Sequence, residues 1–246
     1  MPHGYNGKIL HVDLTTRTFE VETPPEAFYR KYMGGSAMGM HYVLNQTPAK
    51  TDALGPDNVL CLMASVITGA PVSGQSRITA TAKSPLTDCI GDSQGGGFFP
   101  AEFKFAGFDG MVIKGRAASP VYIWIKDGAV EIRDAAHLWG KITGEAEAIL
   151  KEELGDDKIE VLQVGPAGEK AVRFAAMISM SNRAHGRTGM GAVMGSKNLK
   201  AIVVRGTKKL SLADKKAVGE LARWGAKNLD ASDVAGTAKY GTAETV

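Results

Sequence analysis

VYIWIKDGAVEIR, residues 121–133, places two short apolar runs on either side of Lys126, Asp127 and Gly128. Asp-Gly supplies the backbone freedom that a tight hairpin turn needs, so the stretch predicts two antiparallel strands. Downstream, residues 144–154 read as a helix with Thr143 as N-cap and Glu145 and Glu147 placed favourably near its start. Residues 159–164 read as a strand, residues 184–196 are rich in glycine, and residues 201–205 read as another strand. The same order stands earlier in the chain. GKILHVDLTTRTFEVE, residues 7–22, alternates apolar and polar positions across a polar turn at 15–17. An apolar stretch, residues 28–44, is broken by Gly34 and Gly35, with Ser36 placed to cap a helix through Leu44. A buried-looking strand at 59–64, a Gly/Pro/Ser loop at 68–76 ending in Arg77, and a strand at 78–82 complete the set. Hairpin, helix, strand, loop and strand occur twice. The expected fold is α+β: two similar hairpin-helix-strand units, related by a pseudo-two-fold, forming a duplicated β-sheet domain with a cofactor cleft.

After Gly206 the pattern changes, and a helical domain begins. Ser211 and Asp214 resemble a capping-box start to a helix running to about Leu229. That helix would align Leu212, Val218, Leu221, Ala222 and Trp224 along one face, while residues 231–246 are weakly patterned. The expected division is residues 1–207 as one domain and residues 208–246 as the start of a truncated helical one.

Composition excludes several classes. The 29 Lys+Arg nearly balance 26 Asp+Glu, so no overall field favours a nucleic acid, and an anion must be met locally. Two cysteines, Cys61 and Cys89, cannot make a disulfide scaffold or ligate an iron–sulfur cluster, and each is expected to pack as a small apolar residue. No leader pattern and no membrane-spanning run is legible, so a cytoplasmic protein is expected. The 30 glycines exceed the usual share of ~7% and cluster, which marks backbone that approaches something closely.

Three clusters combine glycine with hydroxyl or amide side chains, and the first and third also carry arginine: PVSGQSR at 71–77, GDSQGGGFF at 91–99 and NRAHGRTGMGAVMGSK at 182–197. Glycine removes the Cβ obstacle, so successive N–H groups can converge on an anion, and arginine adds a planar cationic fork suited to phosphate. Common nucleotide signatures do not fit. Gly189, Gly191 and Gly195 are spaced one residue too far for the dinucleotide fingerprint, and in GAVMGSK the serine precedes the lysine, unlike a Walker A loop. His137 beside Trp139 reads as structural, and His3, His11 and His41 stand alone.

Several blocks in the same order resemble a known family: KSPL at 83–86, GGFF at 96–99 followed by AEFKFAGFDG at 101–110, HLWGK at 137–141, VGPAGE at 164–169 and GAVMGSKNLKAI at 191–202. Over about residues 4–206 they are similar to the N-terminal domain of the tungsten-containing aldehyde ferredoxin oxidoreductases. The resemblance implies a tungsten (or molybdenum) bis-pterin cofactor whose metal is held by pterin dithiolene sulfurs. It places Arg77 against a pterin phosphate or ring, Gly96 with its backbone against the cofactor, and Arg183, Ala184, Gly186 and Arg187 in the binding segment. It assigns Gln94, where the family commonly has Asn, and Ala184 to a magnesium ion (Mg2+) bridging the pterin phosphates. His185 replaces a small residue of the family, and reads as a solvated loop side chain or a phosphate donor. The implied activity is oxidation of an aldehyde to a carboxylic acid, with electrons passed through a [4Fe–4S] cluster to ferredoxin or another electron-transfer subunit. The cluster ligands and acid/base residues would lie further along than this chain extends, so a fragment or split subunit is expected, as a homo-oligomer or joined to the remainder of a split enzyme. A standalone pterin- or nucleotide-binding module without redox activity is the alternative.

Overall fold

The computed structural model describes residues 3–245. Twelve strands form two six-stranded mixed sheets. The first contains β1 (Ile9–Asp13), β2 (Thr18–Glu22), β3 (Leu60–Ala64), β4 (Ile78–Lys83), β5 (Ile90–Gly95) and β6 (Gly110–Lys114), in the order β2-β1-β6-β3-β4-β5. The second contains β7 (Val121–Lys126), β8 (Ala129–Asp134), β9 (Glu160–Gln163), β10 (Met177–Ser179), β11 (Arg183–His185) and β12 (Leu199–Arg205), in the order β8-β7-β12-β9-β10-β11. The orders are identical element for element. In each sheet the hairpin's first strand pairs parallel with the last strand, and every other pairing is antiparallel.

Register is repeated as well as order. Ile9 faces Gly110 and Tyr122 faces Ala201; Met63 joins Gly110 to Thr79, as Gln163 joins Ala201 to Ile178. Thr79 then faces Gln94, and Ile178 faces Ala184. Gln94 and Ala184 therefore occupy equivalent positions on equivalent edge strands. Gly186 is one extra residue after β11, and beyond it residues 96–115 and 187–206 align without a gap, each ending at glycine. The duplication expected from element order is thus present in backbone detail.

The helices are α1 (Glu26–Tyr32), α2 (Gly35–Gln46), α3 (Phe99–Phe105), α4 (Thr143–Leu154), α5 (Pro166–Glu169), α6 (Met190–Ser196), α7 (Lys215–Asn228) and α8 (Ala235–Tyr240). Each unit lends a helix to the other: α3 packs on β9 and β12, while α6 packs on β3, β4 and β5. Leu10, Leu62 and Met111 of the first sheet, Ile123, Leu162 and Ile202 of the second, Phe99 and Phe103 of α3 and Val193 and Met194 of α6 form one shared core. Period-2 alternation gives each sheet a second apolar face. One is covered by α1 and α2 through Tyr29, Met38 and Tyr42, the other by α4 through Leu150.

Several local expectations are corrected. Gly34, at φ 124°, is the N-cap of α2; Ser36 lies inside the first turn and donates its Oγ to Asp92. Thr143 is the first residue of α4, not its cap, which is Ile142. The C-terminal helix starts at Lys215 rather than Ser211, because Asp214 is its N-cap and accepts from the Ala217 N–H at 2.9 Å. Ser211 instead accepts from the Gly4 N–H through its carbonyl. Residues after Ala231 include α8, while Val246 lies outside the described residues. Cys61 is buried as expected, but Cys89 is exposed.

Candidate functional site

The two sheets meet at their edge strands β5 and β11, and three consecutive glycines lie at that seam. A Cβ added to Gly95 would overlap the imidazole of His185. One added to Gly96 would lie 3.8 Å from Arg77 Nε, and one on Gly97 would lie 3.1 Å from Arg183 Cγ and 2.6 Å from Met180 Sδ. Gly95 and Gly97 therefore admit side chains of the β10–β11 hairpin, while Gly96 lies beside Arg77. The glycine run that reads as a loop is in part an edge strand, and its glycines are explained by close approach.

Hydroxyls pin these backbones from behind. Ser76 Oγ donates to Gly97 O at 2.5 Å, Ser179 Oγ to Gly96 O at 3.3 Å, and Thr188 Oγ1 to Asp92 O at 3.1 Å. Ser93 Oγ accepts from the Arg187 N–H at 3.1 Å, and Ser84 Oγ donates to Thr188 O at 2.8 Å. Sequence reasoning missed these supports. For Ser76, Ser93 and Thr188 the signal was a hydroxyl set inside a glycine cluster, while Ser84 and Ser179 lie outside the clusters.

Arg77, Arg183 and Arg187 thus come to one seam, with Gln94 on β5, Ala184 on β11, and Gly96 and Gly186 just beyond those strands. Arg77, Gln94, Arg183, Ala184, Gly186 and Arg187 are exposed. Among the described residues none of the three arginine side chains has a carboxylate within ion-pair distance, whereas Arg205 holds both Glu102 and Asp156 and Arg30 holds Glu26. Three exposed guanidinium groups without an internal counter-ion make the seam locally cationic although the chain as a whole carries only +3.

His185 corrects an expectation. It is neither solvated nor turned outward to meet a phosphate: it is 1% exposed, and its Nε2 lies 3.2 Å from Ile78 O. Burial, with the nearby Arg77 adding to it, pulls its pKa down to about 4. At neutral pH the ring is neutral, and its Nε2–H donates to the Ile78 carbonyl while Nδ1 is buried without a protein partner.

An open groove lies elsewhere. An open depression of about 1300 Å³ runs between the β1–β2 hairpin and α2, lined by His11, Asp13, Glu20, Glu22, Tyr42 and Asp57 among others. No arginine lines it, and four carboxylates stand against one lysine, Lys114, so it suits a phosphate poorly. His11 there pairs with Glu22 at 2.7 Å, and His137 pairs with Glu153 at 3.0 Å. Among the described residues no group of three or more His, Cys, Asp and Glu is arranged to hold a metal, and no helix is long and apolar enough to cross a membrane.

Comparison with known proteins agrees with this architecture. A tungsten-containing aldehyde ferredoxin oxidoreductase of Pyrococcus abyssi is 47% identical over 220 residues, covering 89% of this chain and 36% of that protein. An aliphatic sulfonate oxidoreductase, WOR-like subunit, of Pyrococcus furiosus is 35% identical over 237 residues, covering 90% of this chain and 38% of that protein. The solved active-site complex BamBC of benzoyl coenzyme A reductase, bound to 1,5-dienoyl-CoA, superposes with a TM-score of 0.90 at 34% identity, covering 94% of this chain and 35% of its own. The chain spans little more than a third of the length of these relatives. The model of the aldehyde ferredoxin oxidoreductase N-terminal domain matches residues 9–206. The chain belongs to the aldehyde ferredoxin oxidoreductase family, and its two duplicated sheets are the N-terminal domain of that family.

Proposed function

We propose that this chain is the cofactor-binding portion of a tungsten-dependent oxidoreductase, and that the β5–β11 seam holds a tungsten bis-pterin. The observation that carries the reading is the convergence of three exposed arginines without acidic partners on a glycine-lined seam at the junction of two equivalent units. Arg77, Arg183 and Arg187 would pair with the pterin phosphates, and the backbone at Gly96 and Gly186 would lie against the pterins. A cofactor with two similar halves fits a scaffold with two similar walls. Gln94 and Ala184, equivalent by register, would present their carbonyl groups to an Mg2+ ion bridging the phosphates. When bound, the tungsten supplies the Lewis acid and the two-electron acceptor. The chain's own task is to bind and orient it. Seam hydroxyls fix the glycine backbones before binding, which lowers the ordering cost of the complex.

The whole protein would oxidise an aldehyde to a carboxylic acid and pass electrons through a [4Fe–4S] cluster to ferredoxin or another electron-transfer subunit. The aldehyde assignment is supported by the relatives at 44–47% identity, against 34–35% for the proteins named for sulfonate oxidation and benzoyl-CoA reduction. Residues 1–207 would be the cofactor domain and residues 208–246 the start of a helical one. In support, the family match ends at 206 and α7 buries no residue. Metal and pterin analysis of the anaerobically purified protein tests the reading. Tungsten with two pterins per metal is expected; a protein free of both metal and pterin would overturn it.

A further inference from the structure

His185 and Gly95 occupy equivalent positions in the two sheets, because Ile78 faces Gly95 across β4–β5 as Met177 faces His185 across β10–β11. The equivalence ends at the backbone. One residue has no side chain, and the other places an imidazole where that side chain would be. The ring crosses the seam, fills the space over Gly95, and donates from Nε2 to Ile78 O, the carbonyl of the residue after Arg77. It sits two residues from Arg183 and two from Arg187, with Ala184 and Gly186 on either side. Among the described residues the other polar ties across the seam join a single hydroxyl, or Met180 Sδ, to a single backbone group.

We propose that His185 is a positioning residue for the cofactor cradle, a wedge that sets the separation and tilt of Arg77 and the Gly95–Gly97 backbone relative to Arg183, Ala184 and Arg187. The inference rests on the bis-pterin reading of the seam. An anion gripped from both sides is sensitive to the spacing of its cationic partners, because charge-assisted bidentate contacts lose their alignment with small displacements. Removing the ring leaves a hole at Gly95 and frees the Ile78 carbonyl, so the edge strands can close or slide. A methyl on Gly95 acts from the other side and pushes the ring out. Both changes leave every arginine in place.

The test measures tungsten and pterin per chain together with the thermal midpoint in the anaerobically purified protein. The variants are His185→Ala, His185→Gln, Gly95→Ala, the core control Leu162→Ala, and Arg77→Ala. His185→Ala and Gly95→Ala are expected to lower cofactor content roughly five- to tenfold. Leu162→Ala, equally buried in the shared core, is expected to lower the midpoint at least as much and leave content nearly unchanged. His185→Gln keeps an N–H donor of similar reach and is expected to recover content over the alanine variant. Should His185→Ala fail to fold, Gly95→Ala and His185→Gln carry the test. Wild-type content in both His185→Gln and Gly95→Ala, or content falling only in step with the midpoint as in Leu162→Ala, would overturn the proposal. If Arg77→Ala also keeps full content, the cofactor reading itself falls; if it loses content while the His185 and Gly95 variants do not, only the positioning role falls.

Discussion

The two sheet units share order and register, yet they fill one equivalent buried position with opposite charges. Asp109 of the first unit, 1% exposed, accepts the N–H groups of Asn6 at 2.9 Å and Gly7 at 2.7 Å and lies 3.6 Å from Lys104 Nζ. Its counterpart in the gap-free alignment is Lys200, fully buried, which donates to Lys141 O at 2.9 Å and to Glu169 at 2.5 Å. A buried charge is tolerable only with its complement at hand, and each unit built a different complement. What is duplicated is therefore the backbone pattern, while side-chain solutions diverged. This is why the repeat is visible in element order and not in residue identity.

The largest effect should come from breaking those two solutions. Asp109→Ala and Lys200→Ala should each cost about 3–5 kcal/mol in a denaturant titration, since each leaves a buried partner of opposite charge unpaired. A loss below ~1 kcal/mol in either unit would mean that its buried charge is dispensable, and the comparison would lose its symmetry. Next come the exposed arginines of the seam. Arg77→Ala and Arg187→Ala should weaken cofactor retention by about 1.5–3 kcal/mol, the worth of a charge-assisted contact, and change folding stability by no more than ~0.5 kcal/mol. Full metal content beside a large fall in thermal midpoint would reverse that assignment.

A smaller effect compares Glu160 with its register equivalent Leu60. Burial first, then the neighbouring Glu147, raises the Glu160 pKa from 4.5 to about 7. Between those values the folded chain holds a proton that the unfolded chain has released. The contribution to stability is complete below pH 4.5 and is lost as pH rises through about 7. Glu160→Leu should therefore help more at pH 8 than at pH 4, by on the order of 1 kcal/mol after solvent screening. An equal effect at both pH values would show that folding does not raise the Glu160 pKa. The smallest change is expected outside the duplicated sheets. Trp224 on α7 is 64% exposed, so Trp224→Ala should move the thermal midpoint hardly at all, within ~0.5 kcal/mol. The exposed Leu221 and Trp224 of α7 form an apolar face expected to self-associate, so light scattering on the chain should show less association in that variant; unchanged association would place the contact elsewhere.

Much of the fold was legible because its signals are local. The two hairpins, the helix at 143–154 and strands β3, β4, β9 and β12 follow from periodicity and turn residues that lie close together in sequence. β5, β10 and β11 were not, since β10 and β11 are three residues long and β5 is interrupted by Gly91 and Gly95. Those glycines are selected by Thr188 and His185 packing against them, side chains about ninety residues away whose approach no sequence window contains. The site divides the same way. Glycine clusters marked the three segments and arginine two of them, but that they share one seam, and that His185 is a buried wedge, depends on how the two units meet.

The proposed site of the metal cofactor is the seam between β5 and β11. Anomalous diffraction at the tungsten absorption edge, from crystals of the anaerobically purified protein, tests it most directly. A single metal peak is expected over the seam, flanked by Arg77 and the Gly95–Gly97 backbone on one side and Arg183 to Arg187 on the other. A peak in the acidic groove between the β1–β2 hairpin and α2, or anywhere remote from the three arginines, would contradict it.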